Sequence, residues 1–455
     1  MNAVFFGIIL VAFATAIVTG SMGAVSHAAL DSARDSVTLA ISLIGYMALF
    51  LGIMRVANDG GLLRVMARAI RPVMVRLFPQ VPPDHPAMGA MIMNIAANMI
   101  GLTNAATPLG IKAMKELDTL NPHKGTATDA MALFLAINTS GLALLPSGVV
   151  TVRAAEGSAD PWNIIAPTLF ATMMSTIAGI TAAFALRRLR VFRAPPPDAP
   201  APASQADQAG VAGAPAPLPS PDLASQPEIG GEPSKAAVRG LAIFLLATMA
   251  ILVIPPALAA LLPSSNPLVP RMRDFATATG DAIIPSLIMA ILAFGWRSGT
   301  KVYESFVAGA REGFDTGVMI LPYLVAILVA VGMFRASGAM EVLTSTLGAL
   351  TGSFGLPGEA LPVAIVRPLS GSGAFGLMTE IVHTHGPDSY VGTLVSVLNG
   401  STETTFYVMA VYFGSVGVTR ARHAIAAGLT ADFVGVVATV LVVRAFFGHL
   451  LDLPG

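Results

Sequence analysis

Long uncharged apolar runs constrain this chain most. Ser36 to Met54, Ala130 to Val152 and Pro161 to Leu186 contain no Asp, Glu, Lys or Arg, and each reaches about the 20 residues that a helix needs to cross a bilayer core. Soluble domains carry roughly 25% charged residues; here 11% are charged, 54% are hydrophobic and the mean hydropathy is +0.73. The runs therefore read as membrane spans, and the lipid bilayer is the first partner. Lys plus Arg and Asp plus Glu number 26 each, so no net field draws the chain to nucleic acid. Cysteine is absent and the 7 His show no metal-ligand spacing, so the sequence implies no metal and no cofactor.

A composition change divides the chain. Ala194 to Ala236 holds 11 Pro in 43 residues, with Ala, Ser, Gln and Gly filling most of the rest, too little apolar surface to offset the entropy of ordering. Residues 194–236 read as a disordered linker between a first half, 1–193, and a second, 237–455, which begins with a connecting span at about Leu241 to Leu262. Met1 to Gly20 imitates a signal peptide, with Ala24 to Ala28 as a loose cleavage site, but lacks a basic start and reads as a retained span.

The halves match in order. Gly52-Ile53-Met54-Arg55 faces Gly332-Met333-Phe334-Arg335, and Asp35-Ser36 faces Asp315-Thr316 at the same offset. Leu102 to Gly110 faces Pro368 to Gly376, and Ile137-Asn138-Thr139-Ser140 faces Leu398-Asn399-Gly400-Ser401. Four matches in register, each at the same hydropathy landmark, indicate an internal repeat.

In the first half, spans at Phe5 to Met22 and Ser36 to Met54 precede a basic amphipathic stretch, Leu62 to Phe78, suited to the interface. Pro86 to Leu117 is broken near its middle by Thr103 to Pro108. That leaves arms of about 15 residues, roughly 22 Å of helix each, and predicts a re-entrant hairpin, because irregular backbone at membrane depth needs protein or water around it. Ala130 to Val152 crosses but is interrupted at Asn138 to Ser140 and at Pro146. With hairpins turning back on one side and the N-terminus inside, 19 of the 26 basic residues face the cytoplasm, as the positive-inside rule demands. The prediction is an all-α, polytopic inner-membrane protein of two inverted repeats, each with a re-entrant hairpin and a broken transmembrane helix, its N-terminus and linker cytoplasmic.

Thr103 to Pro108, Lys112 to Leu117, Leu133 to Thr139 and Pro146 make the first half resemble spore maturation protein A. Arg367 to Ala374, His385-Gly386-Pro387-Asp388-Ser389 and Gly400 to Tyr407 make the second resemble spore maturation protein B. The resemblance implies a fusion of two proteins within the wider group carrying the nucleoside-recognition, or gate, domain, which includes concentrative nucleoside transporters. In those transporters two hairpins and two broken helices enclose the substrate.

The second break, Ser401-Thr402-Glu403-Thr404-Thr405, sets a carboxylate and four hydroxyls within a span, where a charge costs roughly 2.5 to 3.5 kcal/mol. A coupling cation, protonation or Arg367 could offset it; the structural alternative is an Arg367–Glu403 pair locking hairpin to broken helix. Asn138, Thr139, Ser140 and Asn399 could hydrogen-bond a polar solute, together with Asn104, Thr107, Ser370 and Ser372 at the hairpin breaks, or could simply cap broken ends. Asn94 and Asn98 read as interhelical glue. Glu380, His383 and His385 read as solvated residues near the outer surface. Asp432, within the last span, is either an ion relay or a buried acid bonded to its neighbour.

Secondary transport of a small polar solute, nucleoside-like or ionic, is the leading expectation, with Glu403 and Asp432 coupling it to Na+ or H+; a homo-oligomer is compatible with the sequence. No GxxxxGK[ST] loop is present to power it with ATP. A non-transporting envelope or spore-maturation factor is the alternative. An intramembrane hydrolase using Ser372 or Ser401 with His383 or His423 ranks last, for want of a GxSxG elbow; the chain does not read as an enzyme.

Overall fold

The apolar runs fold as helices, and a computed structural model describes residues 2–101, 103–144, 146–192, 235, 236, 238–241, 243, 285, 286, 288–448 and 450. The linker at 194–236, apart from 235 and 236, and most of the connecting span at 241–262 lie outside the described residues. The helices are α1 (Asn2–Thr19), α2 (Met22–Asp59), α3 (Leu62–Leu77), α4 (Pro86–Ile100), α5 (Thr103–Thr119), α6 (Asp129–Thr139), α7 (Ser147–Ala155) and α8 (Ile165–Leu186). After the linker come α9 (Ile288–Arg297), α10 (Val302–Ala336), α11 (Ala339–Thr351), α12 (Leu361–Val366), α13 (Gly371–His385), α14 (Tyr390–Ser401), α15 (Thr405–Gly414) and α16 (Ala424–Phe447). No strand occurs among the described residues.

Four of these helices, α2, α8, α10 and α16, are long and apolar enough to cross a membrane. Their packing is that of a bilayer protein. On α8 and α16 the buried side chains include Thr172, Ser175, Asp432 and Thr439, while Met173, Ile177, Phe433 and Leu441 are exposed. Polar groups turned inward and large apolar groups turned outward suit lipid, not water.

The chain forms two units, each compact in itself. One comprises 48–69 and 227–313. There Gly309 of α10 lies against Leu51 and Gly52 of α2, and Arg55 pairs with Asp59 at 3.1 Å and Glu312 at 2.7 Å. The other comprises 1–47, 70–226 and 314–455 and contains every candidate site residue. Its centre is the α8–α16 pair. Gly179 brings α8 close to Ala431, and Gly435 brings α16 close to Ser175, whose hydroxyl donates to the Ala431 carbonyl at 2.9 Å. Small residues at such crossings let membrane helices pack tightly without a hydrophobic driving force.

Three expectations need correction. The second span is no separate helix beginning at Ser36: α2 runs unbroken for 38 residues from Met22, about 57 Å of helix, because no Pro interrupts it. The first hairpin turns at Gly101, not at Thr103 to Pro108. Gly101 adopts φ +84° and its amide returns to the Ala97 and Asn98 carbonyls, a C-terminal stop that glycine accepts without strain. Thr107 and Pro108 then fall inside α5. Glu380 is not solvated; it is buried and pairs with Arg335 at 2.7 Å.

Candidate functional site

Two interrupted helices meet at their interruptions. α6 stops at Thr139 and the helix resumes as α7 after Pro146, which lacks an amide hydrogen. α14 stops at Ser401, Thr402 and Thr404 are extended, and α15 begins at Thr405. Gly141, at φ +59°, lets the first break lie against the second: a Cβ there would sit 2.9 Å from the Thr402 carbonyl carbon and 3.0 Å from the Glu403 amide nitrogen. That amide donates to the Thr139 carbonyl at 2.9 Å. The backbone groups left over by one break thus help satisfy the other.

Each break is tied to the closing helix of its own half by equivalent hydroxyls. Ser140 and Thr176 lie 2.9 Å apart, and Ser401 and Thr439 lie 3.2 Å apart. Gly428 brings α16 against both breaks, where a Cβ would lie 3.3 Å from Thr139 Oγ1 and 3.5 Å from Thr405 Oγ1.

On the first-half side an amide network joins hairpin to broken helices. Asn98 Nδ2 donates to Asn138 Oδ1 at 2.9 Å, and the Tyr412 hydroxyl donates to the same oxygen at 3.3 Å. Asn94 Nδ2 donates to Tyr412 Oη at 3.1 Å and to the Ala106 carbonyl at 2.8 Å. Tyr412 stacks on Phe134 with ring centroids 5.9 Å apart. Its phenol is a member of the site that the sequence did not reveal; an aromatic residue in an apolar helix carries no sign of a partner. The backbone of Asn104 belongs to α5, but its side chain lies outside the described residues. Thr107 is on the same helix.

On the second-half side Arg367 donates to the Thr402 carbonyl and lies 3.6 Å from Glu403. The Phe406 amide donates to the Pro368 carbonyl at 3.1 Å. Ser370 caps α13 through the Gly373 amide at 3.1 Å and lies 3.5 Å from Ser372. Glycine at 371 leaves room for Thr404, whose Oγ1 would be 2.9 Å from a Cβ there. A cavity of about 180 Å³ opens beside this turn, lined by Ile320, Leu324, Gly371, Ser372 and Phe375. Asn399 is buried with its Oδ1 unpartnered. Asp432 is buried in α16 and accepts from Thr405 Oγ1 at 2.6 Å.

Beyond the breaks, two ion-pair clamps tie loops of opposite halves. Arg153, at the end of α7, is fully buried and pairs with Asp388 at 2.9 Å, besides donating to Ser158, Asn163 and the Pro387 carbonyl. Arg422, before α16, pairs with Asp129 at 2.8 Å and donates to the Ala127 and Phe192 carbonyls. His383 contacts Glu156 at 2.8 Å, and His385 is exposed. Among the described residues no group of three or more His, Asp or Glu is placed to hold a metal. Neither Ser372 nor Ser401 bonds to a histidine among them; their hydroxyl partners are Ser370 and Thr439.

The nucleoside-recognition family model, Gate, matches residues 40–156 and 318–419, ranges that include both breaks and both hairpin turns. Spore maturation protein B of Bacillus subtilis (strain 168) is 44% identical over 167 residues, 37% of this chain and 94% of that protein. Spore maturation protein A of the same organism is 39% identical over 180 residues, 40% of this chain and 92% of that protein. No solved structure gives a significant match. The two relatives cover different parts of the chain, which is a helical membrane protein belonging to the nucleoside-recognition gate family and joining a spore maturation protein A-like part to a spore maturation protein B-like part.

Proposed function

We propose that this protein is a secondary transporter, moving a small polar solute, nucleoside-like or ionic, by alternating access about the crossing of its two broken helices. The observation that carries this reading is the contact of the breaks themselves, Gly141 against Thr402 and Glu403, with the Glu403 amide on the Thr139 carbonyl. Transporters built from inverted repeats place their sites where discontinuous helices meet. Asn138, Thr139, Ser140, Asn399, Ser401, Thr402, Glu403 and Thr404 stand at or beside that crossing, with Asn104, Thr107, Ser370 and Ser372 on the adjoining hairpins. Glu403 and Asp432 are the ion-coupling groups of this reading, and Arg367 holds the second break through Thr402.

Reciprocal packing supports a two-fold relation between the halves, and this reading takes it as the inverted form. α6 packs on α16 and α14 packs on α8; α7 touches α13 and α14, and α15 touches α5 and α6. Each of these elements thereby makes with the other half the contacts its counterpart makes in return. Re-entrant hairpins α4–α5 and α12–α13, a plasma-membrane location and a cytoplasmic N-terminus and linker complete the proposal.

Screening nucleosides, amino acids and small ions for a rise in melting temperature of the purified protein tests it, since a ligand of the folded state stabilises by mass action. A solute that stabilises the intact protein but not an Asn399→Ala variant is the expected result; a panel that stabilises neither would count against a solute site. The spore-maturation relatives favour one further reading, a membrane factor in envelope or spore maturation that transports nothing.

A further inference from the structure

We propose that Asp432 is a proton-binding site, a carboxylate that takes up and releases H+ next to the crossing of the two breaks. Its use in coupling rests on the transport reading, but its existence does not.

Asp432 lies in the third turn of α16, where only 4% of its surface is exposed. One oxygen accepts from Thr405 Oγ1 at 2.6 Å; the other, Oδ1, is buried without a partner. A carboxylate in this condition is half-satisfied, and a buried charge is kept only when it is paired or hydrogen-bonded. The elements packed around it supply little else. α8 contains no ionisable residue, α6 has only Asp129 at its first position, and α14 has only Tyr390 at its first. α15 contributes Tyr407 and Tyr412. The charged groups acting on Asp432 are Arg367 and Glu403, which lie 3.6 Å from one another, so the cation is already shared with a second carboxylate.

A metal cation suits the place less well. Na+ or Ca2+ is held by several oxygens, Ca2+ by six to eight, whereas among the described residues Thr405 Oγ1 is the side-chain oxygen bonded to Asp432. A proton needs one oxygen. In the step proposed, H+ from water adds to Oδ1, one O–H bond forms, the carboxylate becomes a neutral acid, and the same bond breaks when H+ is released. Thr405 begins α15 directly after the second break, so any movement of that break changes the hydrogen bond on which the carboxylate depends. The closing helix of the first half, α8, carries no acid, so the second-half helix alone of this pair offers a carboxylate.

Infrared difference spectra of the full-length protein in lipid, recorded between mildly alkaline and mildly acidic pH, read the site without any solute. The expected result is a protonated-carboxyl stretching band that titrates in the native protein, persists in Glu403→Gln and is lost in Asp432→Asn. Should Asp432→Asn fail to fold, Thr405→Val serves instead, since loss of the hydroxyl must shift the midpoint of the same band. A band unchanged by both substitutions, or no titrating band, overturns the proposal. So does a band that added sodium chloride abolishes, which would make Asp432 a metal-cation site. A band that behaves as expected in a protein that moves no solute would retain the proton site and refute the transport reading.

Discussion

The backbone amide of Glu403 donates to the carbonyl of Thr139 across 2.9 Å, joining two helix interruptions that lie in different halves of the chain. Gly141 makes that approach feasible, and no larger residue fits. Gly141→Val adds both a side chain at φ +59° and a clash with the Thr402–Glu403 backbone. The expected cost is about 1–3 kcal/mol, read as a lower melting temperature in detergent. Gly157→Val, also at positive φ but facing open space, carries only the conformational part and should fall less.

Glu403 and Arg367 respond differently to neutralisation. The Glu403 side chain is 39% exposed and 3.6 Å from the guanidinium, a geometry in which an ion pair contributes about 0–1 kcal/mol. Arg367, 11% exposed, also donates to the Thr402 carbonyl at the break. Thermal unfolding should therefore show Glu403→Gln near the native value and Arg367→Met clearly below it. Equal losses would instead make the pair structural and remove Glu403 from the site.

Arg153 is the larger commitment of charge to structure. Its side chain is 0% exposed and its ion partner is Asp388. Asp388→Asn keeps the shape but removes the countercharge, and Arg153→Met leaves the Pro387 carbonyl, Ser158 and Asn163 without their donor. Asp388 is 42% exposed, so Asp388→Asn should cost less than the about 3–5 kcal/mol of a fully buried pair. Arg153→Met, which also removes three hydrogen bonds, should melt lower than Asp388→Asn. A smaller loss is expected for Glu156→Gln, whose partner His383 is 60% exposed.

His423 gives the fold an acid-sensitive point. It stands at the N-cap position of α16 without a side-chain capping bond, both ring nitrogens buried and unpartnered. Burial, then the Arg422 cation, push its pKa down to about 4 from the ordinary 6.5. The unfolded chain therefore binds more protons than the folded one between these values. The stability this histidine contributes is intact above about pH 6.5 and is lost as pH falls toward 4, at no more than about 1.4 kcal/mol per pH unit. His423→Phe should flatten the fall in melting temperature over that window; an unchanged profile would show that His423 does not titrate on unfolding.

The breaks at Ser140 and Ser401 were legible in the sequence because hydroxyl and amide groups interrupt runs that are otherwise apolar. The first hairpin's turn was misplaced because Thr103 to Pro108 looks disruptive, whereas one αL glycine, Gly101, ends α4 and a helix tolerates Pro108. Tyr412, Arg335 with Glu380, and Arg422 with Asp129 were not legible as partners. Each bond joins segments distant in sequence, and nothing local distinguishes a phenol or guanidinium that has a partner from one that faces water.

Flux through the protein tests the account most directly. Proteoliposomes holding the native protein, and others holding Gly141→Val, should be given a panel of radiolabelled nucleosides, amino acids and small ions under imposed proton and sodium gradients. The account predicts saturable uptake of at least one solute by the native protein, driven by the proton gradient and lost when the crossing of the breaks is forced apart. Native protein that retains its melting transition in the vesicles yet moves no solute under any gradient would contradict it.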